Sequence, residues 1–124
     1  MARVALDSGV LIALERGSVH AWAWLRRAAE RGEEPLVNVA AVAEVWRRPP
    51  SASIMRALAG CEVEPVDAPL ARAAGEAIGA IGAGLGDALN AASAARRGMM
   101  LVSTDIGDMH ALAQHFRGLV VRGL

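Results

Sequence analysis

Short apolar runs alternate with longer alanine-rich segments along the whole 124-residue chain. Apolar runs of a few residues between turn residues predict buried strands, and the sequence contains five of them. Pro65 lies in the third run and predicts an edge strand, because proline cannot donate a hydrogen bond to a neighbouring strand. The predicted strands span residues 3–6, 36–39, 62–66, 99–102 and 119–122.

The segments between these strands predict helices. Ser18, Asp67 and Asp87 are expected N-caps. Pro49 and Pro50 end the third helix, since proline cannot continue it. The predicted helices span residues 8–15, 19–31, 39–47, 51–58, 67–80, 87–97 and 105–115. Alternating strands and helices predict an α/β fold with a mainly parallel central sheet that is covered on both faces.

The composition limits both the size and the chemistry of the protein. With 54% hydrophobic residues, the chain predicts a single domain over residues 1–124. Thirteen basic and thirteen acidic residues cancel, so no overall positive field attracts nucleic acid or an anionic membrane. All the basic residues are arginine, which excludes a Schiff-base lysine, a Walker A lysine and the lysine of a receiver domain.

The sequence also predicts a compartment. The single cysteine, Cys61, cannot form an internal disulfide, and Asp7 interrupts the apolar run that a signal peptide would need. Apolar stretches are broken by charged or glycine residues well before the ~18 residues of a membrane span. We therefore expect a soluble, cytoplasmic protein with no membrane partner.

Several aspartates stand at the ends of predicted strands and helices. Asp7 follows the first strand, and Asp105 follows the fourth. If these two strands are neighbours, both carboxylates lie at the carboxyl edge of the sheet, where open α/β sheets bind ligands. Asp108 lies one helical turn beyond Asp105 on the same face. Asp87 begins the alanine-rich helix DALNAASAA, which can approach the sheet closely.

Glu44 is the other acid of interest. It lies in the apolar segment VNVAAVAEVW, where an unpaired buried charge would be costly, so we expect either Arg47 or Arg48 as a partner or a bound cation. Each aspartate alone is more readily explained as a helix cap, but their convergence with Glu44 favours a site. Carboxylates without histidine or cysteine suit Mg²⁺ or Mn²⁺. Two such ions promote in-line displacement at a phosphodiester, which is the chemistry of a nuclease.

Four motifs give the sequence a family resemblance. VALDSGVLIAL places an aspartate and a serine after the first strand, and NVAAVAEV carries the glutamate. LGDALNAASAARRG has an aspartate before an alanine-rich helix, and LVSTDIGDMHAL has a Ser/Thr-rich turn with two aspartates. In this order, over nearly the whole chain, they resemble PIN-domain ribonucleases and, among them, the VapC-like toxins of bacterial toxin–antitoxin pairs. Met109 departs from the family, in which an aromatic residue often follows the last aspartate.

The resemblance implies a three-layer α/β/α sandwich around a five-stranded sheet, with an acidic catalytic site. The implied catalytic residues are Asp7, Glu44, Asp87 and Asp105, and the implied metal ligands are Asp7, Asp87, Asp105 and Asp108. The implied supporting residues are Ser8, Ser103 and Thr104. The resemblance further implies Mg²⁺ or Mn²⁺ as cofactor, endonucleolytic cleavage of RNA, a homodimer and a cognate antitoxin as inhibitor.

Large and basic side chains outside the motifs have plainer interpretations. We expect Trp46 in the core. Trp22 and Trp24 cannot face the same way on a helix, so one of them is a candidate anchor for a partner helix. Three arginine pairs are expected in solvent, with the alternative that they form a rim that recruits RNA phosphates. The pairs are residues 26–27, 47–48 and 96–97.

Other functions stay open on the sequence alone. A PIN nuclease can process RNA without being a toxin, and receiver and phosphatase folds also place aspartates at strand ends. Gly9 stands where haloacid-type phosphatases carry a second aspartate, and the absence of lysine argues against a receiver. The remaining alternative is a module that uses an acidic cleft for binding without turnover.

Overall fold

The computed structural model describes residues 3–46 and 49–124. Within them, five short strands form one sheet: β1 (Val4–Leu6), β2 (Leu36–Asn38), β3 (Glu62–Glu64), β4 (Met100–Ser103) and β5 (Val121–Gly123). Every neighbouring pair is parallel, and the strand order is β3-β2-β1-β4-β5. The predicted parallel sheet and the edge position of the third strand are therefore confirmed, and the first strand does lie next to the fourth, the condition under which Asp7 and Asp105 share one edge.

Helices cover both faces of this sheet. In the described segments they are α1 (Ser8–Glu15), α2 (Val19–Glu30), α3 (Val39–Trp46), α4 (Ala52–Ala59), α5 (Ala68–Ile81), α6 (Leu85–Arg96) and α7 (Ile106–His115). The predicted helices are confirmed with small shifts at their ends. The N-cap role expected for Asp87 is wrong, because α6 begins at Leu85 and extended Gly84 precedes it. Among these helices, none is long and apolar enough to cross a bilayer.

Side chains alternate along each strand, and this divides the core into two layers. Ala5, Leu36 and Leu101 pack on one face with α5, α6 and α7. Leu6 and Val37, among others, pack on the opposite face with α1, α2, α3 and α4. Side chains two residues apart on a strand share a face. The polar residues two positions after Ala5, Leu36 and Leu101 therefore lie on the α6 side, at the carboxyl edge of the sheet: Asp7, Asn38 and Ser103.

The tryptophans are placed differently from what the sequence predicted. Trp46 is 45% exposed, so its expected core position is wrong; Val45 fills the buried side of α3 at this point. Trp24 is buried, and Trp22 is half-buried against the same core layer. The Trp22 indole N–H donates to the Leu14 carbonyl at 3.0 Å. Both side chains of α2 thus pack within the fold.

A buried glutamate organises an ion-pair network at β3. Glu64 is 4% exposed and accepts a hydrogen bond from the Ser93 hydroxyl at 2.9 Å. The guanidinium groups of Arg96 and Arg97 donate to its two oxygens at 2.6 and 2.8 Å. Arg96 also pairs with Asp67. These two arginines are therefore engaged within the fold, which argues against their alternative role in an RNA-binding rim.

Candidate acidic site at the sheet edge

Asp7 lies directly beyond β1, at the carboxyl edge of the sheet. Its backbone N–H donates to the Val102 carbonyl at 3.2 Å, which extends the contact between β1 and β4 to this residue. The side chain is almost completely buried, and its Oδ1 accepts the Val10 N–H at 3.0 Å as the N-cap of α1. Burial raises the pKa of the Asp7 carboxyl, and the nearby Ser103 hydroxyl partly offsets this rise. Asp7 therefore both caps a helix and presents a carboxyl that is difficult to ionise.

Ser103 connects Asp7 to the next acid along the edge. It is fully buried at the end of β4. Its hydroxyl lies beside the Asp7 carboxyl and accepts the Asp105 N–H at 2.9 Å. The structure thus places Asp7 and Asp105 at one sheet edge, as the sequence predicted from the pairing of their strands.

Asp108 lies next to Asp105 in the first turn of α7. The Asp105 Oδ1 accepts the Asp108 N–H at 3.2 Å, so Asp105 is the N-cap of this helix. The carboxyl of Asp105 lies within hydrogen-bonding reach of the Asp108 carboxyl, and this contact, with the negative charge of Asp105, raises the pKa of Asp108. Two carboxyl groups this close favour a shared proton or a cation.

Glu44 reaches the same region from α3. It is exposed, so the expectation of a buried charge is wrong: Ala41 and Val45 form the buried side of this helix. A Cβ on Gly86 would overlap the Glu44 Oε1 atom, which places the carboxylate against the first turn of α6. The proposed arginine partners, residues 47–48, lie outside the described residues. Glu44 is therefore beside Asp87 rather than inside the core.

Asp87 is surrounded by the other acids. It lies half-buried in the first turn of α6. Burial raises the pKa of its carboxyl, and the negative charges of four neighbouring acids raise the pKa further. In order of effect these are Asp7, Glu44, Asp108 and Asp105. The five acids proposed from the sequence thus share one electrostatic environment, although they come from four separate segments of the chain.

The three supporting residues are placed around the acids in different ways. Ser103 bridges Asp7 and Asp105, as described above. Thr104 packs so closely on α1 that a Cβ on Gly9 would overlap its Oγ1 atom. Ser8 begins α1 directly after Asp7 and is half-buried. Only Ser103 therefore contacts two of the acids.

The chemistry of the donor set suits a divalent cation, although the carboxylates of the described residues are not arranged around one in this structure. The acids offer carboxylate oxygens, the ligands that Mg²⁺ and Mn²⁺ prefer. A cleft of about 330 Å³, which Asp87 and Asp108 help to line, opens between the glycine-rich α5–α6 connection and α7. Within residues 3–46 and 49–124, no group of three or more acid, histidine or cysteine side chains is arranged closely enough to hold an ion. Ion binding at these acids therefore requires their carboxylates to turn towards one another.

Comparison with known proteins identifies the family. The profile of the PIN domain matches residues 4–113. The chain therefore belongs to the PIN domain family, whose members are nucleases. No curated protein matches the sequence significantly.

Several solved structures share the fold. The chain is similar to VapBC2 from Rickettsia felis bound to a DNA fragment from their promoter, with a TM-score of 0.73, 16% identity and 98% of each chain covered. It is similar to DNA-bound VapBC from Salmonella typhimurium, with a TM-score of 0.69, 18% identity and coverage of 99% of this chain and 98% of that one. FitAB bound to an IR36 DNA fragment gives a TM-score of 0.67, 20% identity and coverage of 97% and 94%. These likenesses establish the architecture.

Sequence reasoning missed two buried asparagines near this edge. Asn38 ends β2, Asn90 lies in α6, and each is 2% exposed. The signal in the sequence is that each asparagine interrupts an apolar segment, LVNV in one case and DALNAA in the other. Since buried amides are almost always hydrogen-bonded, such an interruption predicts a specific polar partner.

Proposed function

We propose that this PIN domain is a Mg²⁺- or Mn²⁺-dependent endoribonuclease and the toxin of a toxin–antitoxin pair. The observation that carries the proposal is the meeting of acids from separate segments: Asp87 and Asp108 line one cleft, and Glu44 lies against the turn of α6 that carries Asp87. The raised pKa of Asp87, caused by burial and by the negative charges of its neighbours, agrees with this arrangement. Such a concentration of negative charge is costly unless cations bind there. Nuclease activity follows from the family, and the assignment to RNA is supported by the four sequence motifs.

Divalent cations at this site would supply an activated water and stabilise the leaving oxygen of a phosphodiester. The protein's own part is to hold the carboxylates in place. Ser103 would support Asp7 and Asp105, through its hydroxyl beside the Asp7 carboxyl and the hydrogen bond that it accepts from the Asp105 backbone N–H. Glu44, exposed beside α6, would orient a water or hold a second ion; its position against Gly86, one residue before Asp87, supports this role. The proposed ligands are Asp7, Asp87, Asp105 and Asp108.

An antitoxin is the proposed protein partner. The similar solved chains come from VapBC and FitAB assemblies on DNA, which supports a toxin role. We further propose a homodimer in which residues 1–124 form one domain. The expected companion is a short upstream gene that encodes a DNA-binding segment and an apolar or arginine-bearing tail. Growth arrest by this chain that the companion relieves would support the toxin assignment, whereas normal growth on expression of the chain alone would contradict it.

Cleavage of RNA by the purified chain tests the enzyme assignment. We expect cleavage in the presence of Mn²⁺, its loss in EDTA and its recovery when Mn²⁺ is restored. Sequencing of the fragment ends would define the preferred target. Binding of Mn²⁺ without cleavage of any RNA would instead identify a non-catalytic binding module, and absence of both would contradict the proposed site.

Mn²⁺ is expected to raise the melting temperature at neutral pH by about 10 °C when its concentration is about 100 times the dissociation constant. The pKa values of Asp7 and Asp87 are raised in the folded protein. Their contribution to stability is therefore complete below the ordinary pKa of 3.8 and is lost as the pH rises through the raised values. Thermal denaturation should show the largest gain from Mn²⁺ at neutral pH and little gain in acid. Equal gains at both pH values would contradict binding at these carboxylates.

Gly86→Ala is expected to weaken Mn²⁺ binding about tenfold without loss of stability. The added Cβ would overlap the Glu44 Oε1 atom, so the flexible Glu44 side chain must move away from the site. Alanine also favours a helical turn more than glycine does. Gly75→Ala in α5 is the matched control, because nothing lies within 4 Å of a Cβ at that position. Calorimetric titration with Mn²⁺ measures the difference, and equal affinities in the two variants would argue against a role for Glu44.

A further inference from the structure

Two buried asparagines beneath the acids have amide groups without partners. Asn38 and Asn90 are each 2% exposed. In the described part of the chain, the Nδ2 of Asn38 and both polar atoms of Asn90 have no hydrogen-bond partner. Native proteins rarely leave such groups unpaired, and a buried water commonly satisfies several of them at once.

Asn90 lies on a polar stripe of α6 that crosses the sheet from one glutamate to another. At the amino end of the stripe, Gly86 lies against the carboxylate of Glu44. Further along, Ser93 donates its hydroxyl hydrogen to Glu64 of β3. Residues spaced by four and three positions share one helix face, so Asn90 lies between these two contacts and faces the end of β2. The stripe comprises Gly86, Asn90 and Ser93, and Arg97, the C-cap of α6, continues it.

Asn38 occupies the end of β2 that this stripe faces. Its Oδ1 accepts the Ala40 N–H at 2.9 Å, which leaves its Nδ2 free. In the sheet register, Leu6 is opposite Val37, so the residues that follow them, Asp7 and Asn38, are also neighbours. Both side chains lie on the α6 face, because the residues two positions earlier in each strand pack against α6. The two free amides and the buried side of Asp7 therefore all lie between the sheet and α6.

We propose that the amides of Asn38 and Asn90 hold a buried water beneath Asp7 and act as positioning residues for the acidic site. A water can accept two hydrogen bonds and donate two. The Nδ2 groups of the two asparagines supply the donors, and the Oδ1 of Asn90 takes one hydrogen of the water. Two carboxylates flank Asn38 in the sheet, those of Asp7 and Glu64. Glu64 already accepts hydrogen bonds from a serine and two arginines, so we assign the second hydrogen of the water to the carboxylate of Asp7. The water would thus connect a proposed metal ligand to a rigid helix, so its effect on metal binding rests on the proposed function.

Asn90→Leu tests the proposal because leucine has a similar size but cannot hold the water. We expect the melting temperature to fall by about 4 °C and Mn²⁺ affinity to fall about tenfold. Asn90→Ser keeps a hydroxyl and leaves room for the water, so its Mn²⁺ affinity should stay within about threefold of the wild type. The smaller side chain should nevertheless lower the melting temperature. Both variants should thus be less stable than the wild type, but only Asn90→Leu should bind Mn²⁺ clearly more weakly.

Ser93→Ala is the matched control on the same stripe. It removes the hydrogen bond to Glu64, one turn further from the acids, and should lower the melting temperature without changing Mn²⁺ affinity. If Mn²⁺ affinity instead follows stability in all three variants, the role of Asn90 is structural and the positioning role is overturned. A higher melting temperature for Asn90→Leu would also overturn the proposal, because removal of an unsatisfied amide from a dry core is stabilising.

A high-resolution crystal structure gives an independent test. We expect one ordered water bonded to both asparagine amides. A direct bond between the two amides, with no water in the layer, would overturn the proposal. Neither this structure nor the melting temperatures depend on RNA cleavage, so failure of the nuclease assignment would leave their outcome interpretable.

Discussion

Asp7→Asn is expected to reduce Mn²⁺-dependent RNA cleavage by about 100-fold or more while the protein keeps its fold. Asparagine retains an Oδ1 that can accept the Val10 N–H, so α1 keeps its cap. It carries no negative charge and offers only one oxygen to a cation. The expected result is therefore loss of metal-dependent chemistry without loss of the helix. Cleavage of a labelled RNA in Mn²⁺, with far-ultraviolet circular dichroism of the same sample, measures both.

The stability of Asp7→Asn in EDTA should equal or exceed that of the wild type at neutral pH. Burial raises the pKa of the Asp7 carboxyl, so its ionised form is unfavourable in the folded protein. The amide removes this cost. The advantage should shrink as the pH falls through the raised pKa and should vanish below the ordinary pKa of 3.8, where the wild-type carboxyl is neutral in both the folded and unfolded states.

Asp67→Asn is the matched control for this substitution. Asp67 also caps a helix, since its Oδ1 accepts the Leu70 N–H at 2.9 Å, but it lies away from the acids and pairs with Arg96. The backbone hydrogen bond from Leu70 and the contact with Arg96 lower the pKa of Asp67, so its charge stabilises the fold at neutral pH. Asp67→Asn should therefore lose stability and keep cleavage. The role of Asp7 would be contradicted if Asp7→Asn cleaved RNA at the wild-type rate, or if the two variants lost cleavage activity equally.

The three central strands were predictable because each is a short, mainly apolar run that ends in, or is followed by, a polar residue. The two edge strands carry charged residues, and only β-branched residues and flanking turn residues indicated them. The role of the carboxyl edge also followed from a general property of parallel sheets. Asp7 and Asp105 meet only because β1 and β4 are neighbours in the sheet. The sequence alone does not establish that these two strands are neighbours. The strand order is set by the direction of the chain crossovers, which the hydrophobic pattern does not encode.

The surroundings of individual side chains were less predictable. The segment VAAVAEVW is apolar around most of the α3 circumference, so its periodicity does not reveal which side is buried. The exposure of Glu44 and Trp46 could therefore not be predicted from the sequence. The start of α6 was misplaced because Gly84 takes the N-cap position without a side-chain hydrogen bond. Asp87 consequently faces the other acids from within the first turn.

The partners of the arginine pairs were not predictable from the sequence. Glu64 pairs with arginines 32 and 33 residues further along the chain. In another of the three arginine pairs, the guanidinium of Arg27 lies 4.8 Å from the centroid of the Trp24 ring. The third pair, residues 47–48, lies outside the described residues. Local patterns favoured solvent for all three pairs, whereas tertiary packing gives residues 96–97 partners on β3, and Arg27 packs on a ring of its own helix.

Glu64→Gln is expected to lower the free energy of unfolding by about 2 kcal/mol, a fall in melting temperature of about 8 °C. Glutamine keeps the size of the side chain but replaces one acceptor oxygen with a donor, so one guanidinium faces an NH₂ group. Glu64 is 4% exposed, whereas the side chains of Arg96 and Arg97 are 34% and 32% exposed. Water at the arginines makes the loss smaller than for a fully buried pair. Thermal and urea denaturation at neutral pH measure the change.

Glu62→Gln separates burial from charge in the same network. Glu62 lies on the same strand and pairs with Arg3 and Arg97, but its side chain is 39% exposed. Because exposed ion pairs contribute little, this variant should lose only about 0.5 kcal/mol. Similar losses in the two variants would show that total charge, rather than the desolvated contacts of Glu64, stabilises β3. A clearly larger loss for Glu64→Gln, with Mn²⁺ affinity unchanged, would instead assign the network to the stability of the sheet and separate it from the acidic site.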